Sequence, residues 1–198
     1  MRAARSLSVA LAVVALGLAA CGDDGGSDPE VATDRTLEAD IALVGDADEG
    51  IDGVQAFRIG SNEHVNVDVI YPINPAPGGP HHQVWANCGF YDTPIAEEHV
   101  VHDLEHGAVW LAYAPDLSED DVAVIRALVR AQPKLIATPF DGLAAGEAVV
   151  ASAWARQLRL DSVADPRLVQ FIDRYVDSRL APEPGVTCTG TPVGDPLD

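Results

Sequence analysis

Residues 93–118 read Thr93-Pro94-Ile95-Ala96-Glu97-Glu98-His99-Val100-Val101-His102-Asp103-Leu104-Glu105-His106-Gly107-Ala108-Val109-Trp110-Leu111-Ala112-Tyr113-Ala114-Pro115-Asp116-Leu117-Ser118. Thr93 suits an N-cap and Pro94 suits a first helical turn, so a helix is expected from there to about His106, with Gly107 as its stop. An apolar run of strand length covers residues 108–114 and ends at Pro115. Asp116-Leu117-Ser118-Glu119 then caps a second helix, expected to reach about Ala131. Helix, strand and helix in close succession point to an α/β domain.

Working outward, Glu63 to Tyr71 alternates valines with polar residues and predicts a strand. Residues 72–80 hold four prolines and two glycines and predict an ordered loop. Residues 134–138 predict a short strand, and residues 148–157 are apolar with a strand-like start. Asp165-Pro166 opens a third helix, expected to about Leu180, with Leu168, Phe171, Ile172 and Tyr175 on one face. Residues 37–55 and 84–91 fit no single pattern, and no internal repeat is visible. The fold class expected is α/β, with mixed α+β possible: one compact domain over residues 37–198, its core at about 60–190, with a short mixed sheet and about three helices.

The N-terminus carries a different message. Arg2 and Arg5 precede an apolar run over residues 7–20, too short for a membrane span of about 20 residues. That is the form of a secretory signal over residues 1–20. The run ends Leu18-Ala19-Ala20-Cys21, which resembles a bacterial lipobox with Cys21 as the acylated first residue of the mature protein. The alternative is a plain signal peptide with an incidental cysteine. Residues 21–36 are small, polar and acidic, and read as a flexible tether. The expected location is the extracytoplasmic face of the cell membrane, with the membrane reached through the lipid.

The chain holds 12 basic and 31 acidic residues; losing Arg2 and Arg5 with the leader leaves ten against 31, a net charge of about −21. Such a balance argues against nucleic acid and against electrostatic binding to anionic lipid. Two cysteines remain in the domain, Cys88 and Cys188. In an oxidising compartment a disulfide between them is favoured; the competing use of Cys88 is in a Cys/His metal site.

All six histidines, His64, His81, His82, His99, His102 and His106, lie between residues 64 and 106. Imidazole is the commonest metal ligand. On the expected helix, His99, His102 and His106 fall within roughly 60° of one another, while Val100, Val101 and Leu104 face elsewhere. His81 can arrive from the proline-glycine loop and His64 from the strand. The competing reading is a hydrogen-bonded cluster with the acids of the same helix. His102-Asp103-Leu104-Glu105-His106 also matches the H-x-x-E-H pattern of inverzincin metallopeptidases, in which two imidazoles hold zinc and the glutamate activates water. Glu183 and Glu147 are the downstream candidates for a third ligand there. No G-x-S-x-G, Walker A or G-x-G-x-x-G motif is present.

Several of these stretches resemble the DUF3105 family, a bacterial domain of unknown function found on exported or membrane-anchored proteins. They are Gly79-Pro80-His81, Trp85 with Cys88-Gly89-Phe90-Tyr91, and the run from Val101 through Leu104-Glu105-His106-Gly107 to Trp110. Pro139-Phe140-Asp141-Gly142-Leu143 and Ala151-Ser152-Ala153-Trp154 add to it. The resemblance spans about residues 60–190 and implies a single domain without supplying a function. It places His81, His102, Glu105 and His106 in the family pattern and leaves His82 and His99 peripheral.

The reading that results is an extracytoplasmic lipoprotein domain binding zinc or copper through His81, His102 and His106, with His64 or Glu105 assisting. Two other readings stand beside it. One is a metal-dependent hydrolase with Glu105 as base; the other is a non-catalytic interaction protein with structural histidines and an unknown protein partner. For the anchor, the wild-type protein is expected in the membrane fraction and Cys21→Ser in the soluble one. Mature wild-type protein that carries no lipid by mass spectrometry contradicts the lipobox.

Overall fold

The computed structural model describes residues 36–47 and 50–197. The leader, Cys21 and the tether up to residue 35 lie outside the described residues. Thr36, expected to end the tether, already begins a strand.

Over the described residues the fold is mixed α/β with three helices. Its frame is a seven-stranded sheet built from β2 (Ile41–Asp46), β3 (Val54–Ile59), β7 (Gly89–Phe90), β8 (Val109–Tyr113), β9 (Leu135–Pro139), β10 (Val149–Ala153) and β11 (Arg156–Leu160). The order is β2-β3-β11-β10-β8-β9-β7. Pairing is antiparallel from β2 to β8 and parallel between β8 and β9 and between β9 and β7. A parallel pair needs a crossover, and α2 (Glu119–Ala131) supplies it between β8 and β9. Ser118 is its N-cap, its hydroxyl accepting from the Asp121 amide.

β8 is apolar throughout because both of its faces are covered. Val109, Leu111 and Tyr113 join the core beneath α2 and α3 (Pro166–Tyr175). Trp110 and Ala112 point to the other side, into a second core that includes Val100, Val101 and Leu104 of α1 (Glu97–Glu105). α3 buries Leu168, Phe171, Ile172 and Tyr175. At about 1.5–3 kcal/mol per large apolar side chain, that face holds a helix too short to persist alone. Among the described residues no helix is long and apolar enough to cross a membrane.

Two further ladders sit apart from the main sheet. β1 (Thr36–Glu38) pairs in parallel with β5 (Asp68–Ile70), and β4 (His64–Val65) with β6 (His81–His82). The single strand expected from Glu63 to Tyr71 is therefore broken between Val65 and Asp68, because its two ends pair with different partners.

Three other boundaries differ from expectation. α1 starts at Glu97 with Ala96 as its N-cap, not at Thr93. Glu97 and Glu98 in its first turn favour that start through the helix dipole. α3 stops at Tyr175 rather than Leu180, since Asp177 turns to a positive φ of 51° and its amide bonds the Gly107 carbonyl at 2.8 Å. The apolar run at residues 148–157 is the start of a hairpin, turning at Trp154-Ala155, where Ala155 takes a φ of 61°. No glycine or asparagine marks that turn in the sequence.

The stop at Gly107 is as expected. The Gly107 amide bonds Leu104 O at 3.1 Å and the Ala108 amide bonds Asp103 O at 2.9 Å, the paired bonds of a Schellman cap. Gly107 has φ +90°, and a Cβ there would meet Asp177 at 2.9–3.0 Å, so both the conformation and the space require glycine.

Cys88 and Cys188 are joined, with Cα atoms 5.4 Å apart across 100 residues of sequence. The sulfur of Cys88 is thereby committed and unavailable as a ligand. Asn87 adds a second tie: its Nδ2 donates to the carbonyls of Thr191, Val193 and Gly194, and its Oδ1 accepts from the Gly190 and Thr191 amides. Closing a loop of that length stabilises by about 4.7 kcal/mol on the chain-entropy argument. The double substitution Cys88→Ser, Cys188→Ser is expected to lower the unfolding free energy in a denaturant titration by about 2–5 kcal/mol. A loss below about 1 kcal/mol would show that the Asn87 network holds the tail unaided.

Candidate metal centre

Three segments bring the histidines together. The β4–β6 ladder sets His64 opposite His81. Paired residues of neighbouring strands lie about 4.8 Å apart and point to the same face. His81 is delivered by the Gly78-Gly79-Pro80 turn, where Gly79 has φ +129° and a Cβ would meet Tyr71 at 3.2 Å. The Tyr71 hydroxyl donates to Pro80 O at 2.7 Å and fixes the same turn. α1 supplies His102 and Glu105 from its last turn and His106 as its C-cap. His102 and His106 are one turn apart and share a face.

His64, His81, His102 and Glu105 form a group whose candidate ligand atoms all lie within 4.8 Å of one another. This cluster can hold a metal ion. His81, His102, Glu105 and His106 are buried, whereas the His64 side chain is 47% exposed. Glu105 is the hub. Its Oε2 lies 2.9 Å from His81 Nε2 and 3.2 Å from His64 Nε2, and its Oε1 accepts from Asn62 Nδ2 at 2.7 Å.

His106 stands outside that four-residue group, and its place is beside His102. Their Nε2 atoms are 3.0 Å apart, and the edge of Trp85 packs against both rings. The expected convergence of His81, His102 and His106 on one point is thus realised as a chain, with His102 in the middle. His99 does not join. Its ring lies tilted against His82 at 4.5 Å between centroids and donates from Nδ1 to Val84 O, so the stripe of three histidines on α1 is divided. Glu147 lies elsewhere, bonded to Arg159. Glu183 is at the site, its Oε2 3.9 Å from His106 Nε2. Asn62 carried no signal in the sequence beyond its place two residues before His64.

The tautomers follow from the partners. His81 Nδ1 lies 2.8 Å from Gly79 O, His102 Nδ1 2.7 Å from His82 O, and His106 Nδ1 2.9 Å from Thr187 O. A carbonyl only accepts, so each Nδ1 carries a proton and a neutral His102 or His106 ring presents a bare Nε2 lone pair, while His81 Nε2 faces the Glu105 carboxylate and hydrogen-bonds to it only when it too is protonated. This outer hydrogen bonding is the arrangement by which metal-ligating histidines are oriented.

Electrostatics set the charge states. Burial pushes the His102 imidazolium down to about 4; the neighbouring His106, His81 and His64 add to this, and the hydrogen bond to His82 opposes it. Burial likewise lowers His106. For Glu105 burial acts upward, but hydrogen bonds from His81 and Asn62, with the charge of His81, outweigh it and hold the carboxyl at about 2. At neutral pH, two lone-pair imidazoles therefore stand beside an ionised carboxylate.

The sequence profile of the DUF3105 family, described as a protein of unknown function, matches residues 64–190, from the first of these histidines to just past Cys188. The chain belongs to this family. No curated protein and no solved structure matches it.

Because the folded state binds the His102 and His106 protons more weakly than the unfolded chain, their contribution is intact above the ordinary histidine value of 6.5. It is lost as pH falls toward about 4, the folded-state value of His102. Metal-free protein is expected to lose stability across that window in thermal scans, and His102→Gln to flatten the slope. An equal slope in wild type and His102→Gln contradicts the assignment.

Proposed function

We propose that this member of the DUF3105 family is a lipid-anchored protein of the extracytoplasmic face whose domain binds a transition metal, zinc or copper. The ligands are His64, His81, His102 and Glu105, with His106 alongside. The anchor rests on the leader and Cys21 alone. Imidazole donors suit both metals and disfavour the oxygen-seeking calcium and magnesium.

One observation carries the reading: the Nε2–Nε2 contact of His102 and His106 at 3.0 Å, with both Nδ1 atoms already donating to carbonyls. The contact of His81 with Glu105 can be closed by a single proton, so by itself it fits a structural cluster. The His102–His106 pair puts lone pair against lone pair. A proton between them charges a buried ring, and burial opposes that for both rings. A metal ion would take up both lone pairs at once in coordinate bonds, with the ionised Glu105 carboxylate in the neighbouring group to offset its charge.

Hydrolysis fits less well. A general base works best with a pKa near the operating pH, and Glu105 is held at about 2 with hydrogen-bond partners on both oxygens. The nearest imidazoles occupy the direction from which it would take a proton.

The test is a metal titration of protein purified without a histidine tag. Wild type is expected to bind Zn²⁺ or Cu²⁺ tightly, and His81→Ala and His102→Ala to weaken binding at least about tenfold with the fold intact by circular dichroism. Binding unchanged in both variants, or absent from wild type, rejects the metal function.

A further inference from the structure

The cluster offers more donors than one ion uses. A zinc centre takes four ligands, or three plus water. The compact group of His64, His81, His102 and Glu105 leaves out His106 and Glu183. Yet the His106 lone pair faces His102 at 3.0 Å, and the Glu183 carboxylate lies 3.9 Å from the same nitrogen. Two ligands of one zinc ion, each about 2.0–2.1 Å from it, stand roughly 3–3.5 Å apart; the His102–His106 pair has that spacing, and the half-exposed Glu183 carboxylate has to close in from 3.9 Å to complete the set.

We propose that the domain has a second metal position, formed by His102, His106 and Glu183 and adjoining the one formed by His64, His81 and Glu105. This rests on the metal-binding reading above and extends it from one ion to two. An imidazole nitrogen has one lone pair and serves one ion. With a single ion, His102 completes the first group. With two, it turns its lone pair to the position it shares with His106. The donors then fall into two sets of two histidines and one carboxylate, each with a coordination position left for water or an exogenous ligand. The rings of His81 and His102, one from each set, are 4.8 Å apart, so the two ions are neighbours.

The second position is less compact than the first, and the fold still brings its parts together. α1 supplies its two imidazoles one turn apart. The C-terminal tail supplies the carboxylate, and the Glu183 amide donates to Glu105 O at 3.0 Å, which fixes that segment at the end of α1. The same tail provides the Thr187 carbonyl that orients His106, one residue before the disulfide at Cys188. Each set also has one ligand open to solvent: His64 is 47% exposed and the Glu183 side chain 55%. Each ion thus has its own solvent-facing ligand through which to enter and exchange.

Stoichiometry tests the proposal. The metal-stripped, disulfide-intact protein is dialysed against Zn²⁺, and bound metal is measured by elemental analysis. Wild type is expected to hold two equivalents, and Glu183→Gln and His106→Gln one each. Glu183→Gln alters a half-exposed side chain, so its fold is expected to stay wild-type by near-ultraviolet circular dichroism. One equivalent in wild type, or two retained in either variant, overturns the second position while leaving the first. No zinc bound by wild type overturns the metal-binding reading itself.

Discussion

The last turn of α1 buries four polar side chains, His102, Asp103, Glu105 and His106, against the sheet. Every one must find a partner out of water or bear a desolvation cost of several kcal/mol for a charge and about 1–3 for a neutral group. That constraint organises the irregular part of the molecule. The loop before β6 turns Gly79 O toward His81; the end of β6 turns His82 O toward His102; the tail turns Thr187 O toward His106. The Ala86 amide donates to Asp103, whose second oxygen stays unpartnered and whose carboxyl burial pushes well above its ordinary value. Loops with little secondary structure of their own are thus held in place by the helix they surround.

The sheet makes this burial affordable. With β8 covered on both faces, α1 lies on one side and α2 and α3 on the other. The Schellman cap at Gly107 turns the chain from the end of α1 directly into β8. Lys134 Nζ donates to the His106 carbonyl at 2.9 Å, placing a cation at the negative end of the helix dipole. The disulfide and Asn87 then bind the tail over the same region. Histidine–glutamate cluster, helix terminus and cross-link are one assembly rather than separate features.

Parts of this were legible in the sequence because their signals are local. Gly107, Pro115 and the Ser118 cap mark the limits of α1, β8 and α2, and Asp165-Pro166 marks the start of α3. The crowding of six histidines into one stretch pointed to the site, and two cysteines in a chain whose leader reads as a secretory signal pointed to the bridge. What escaped depends on pairing across distance. The break between β4 and β5 follows from which strands they meet, the turn at Ala155 lacks turn residues, and the division of His99 from His102 depends on which carbonyl each ring finds. The H-x-x-E-H spacing singled out His102, Glu105 and His106, but a motif does not report that Glu105 is enclosed by His64, His81 and Asn62.

The central claim is that His102 and His106 are neutral, Nδ1-protonated rings whose Nε2 atoms are free to take a metal. Long-range ¹H–¹⁵N NMR of the imidazoles at neutral pH reads this directly. The account predicts proton-bearing Nδ1 and bare Nε2 in both rings of the metal-free protein, with both Nε2 resonances shifting when Zn²⁺ is added. A proton resident on Nε2 of either ring, with resonances that zinc does not move, would contradict it.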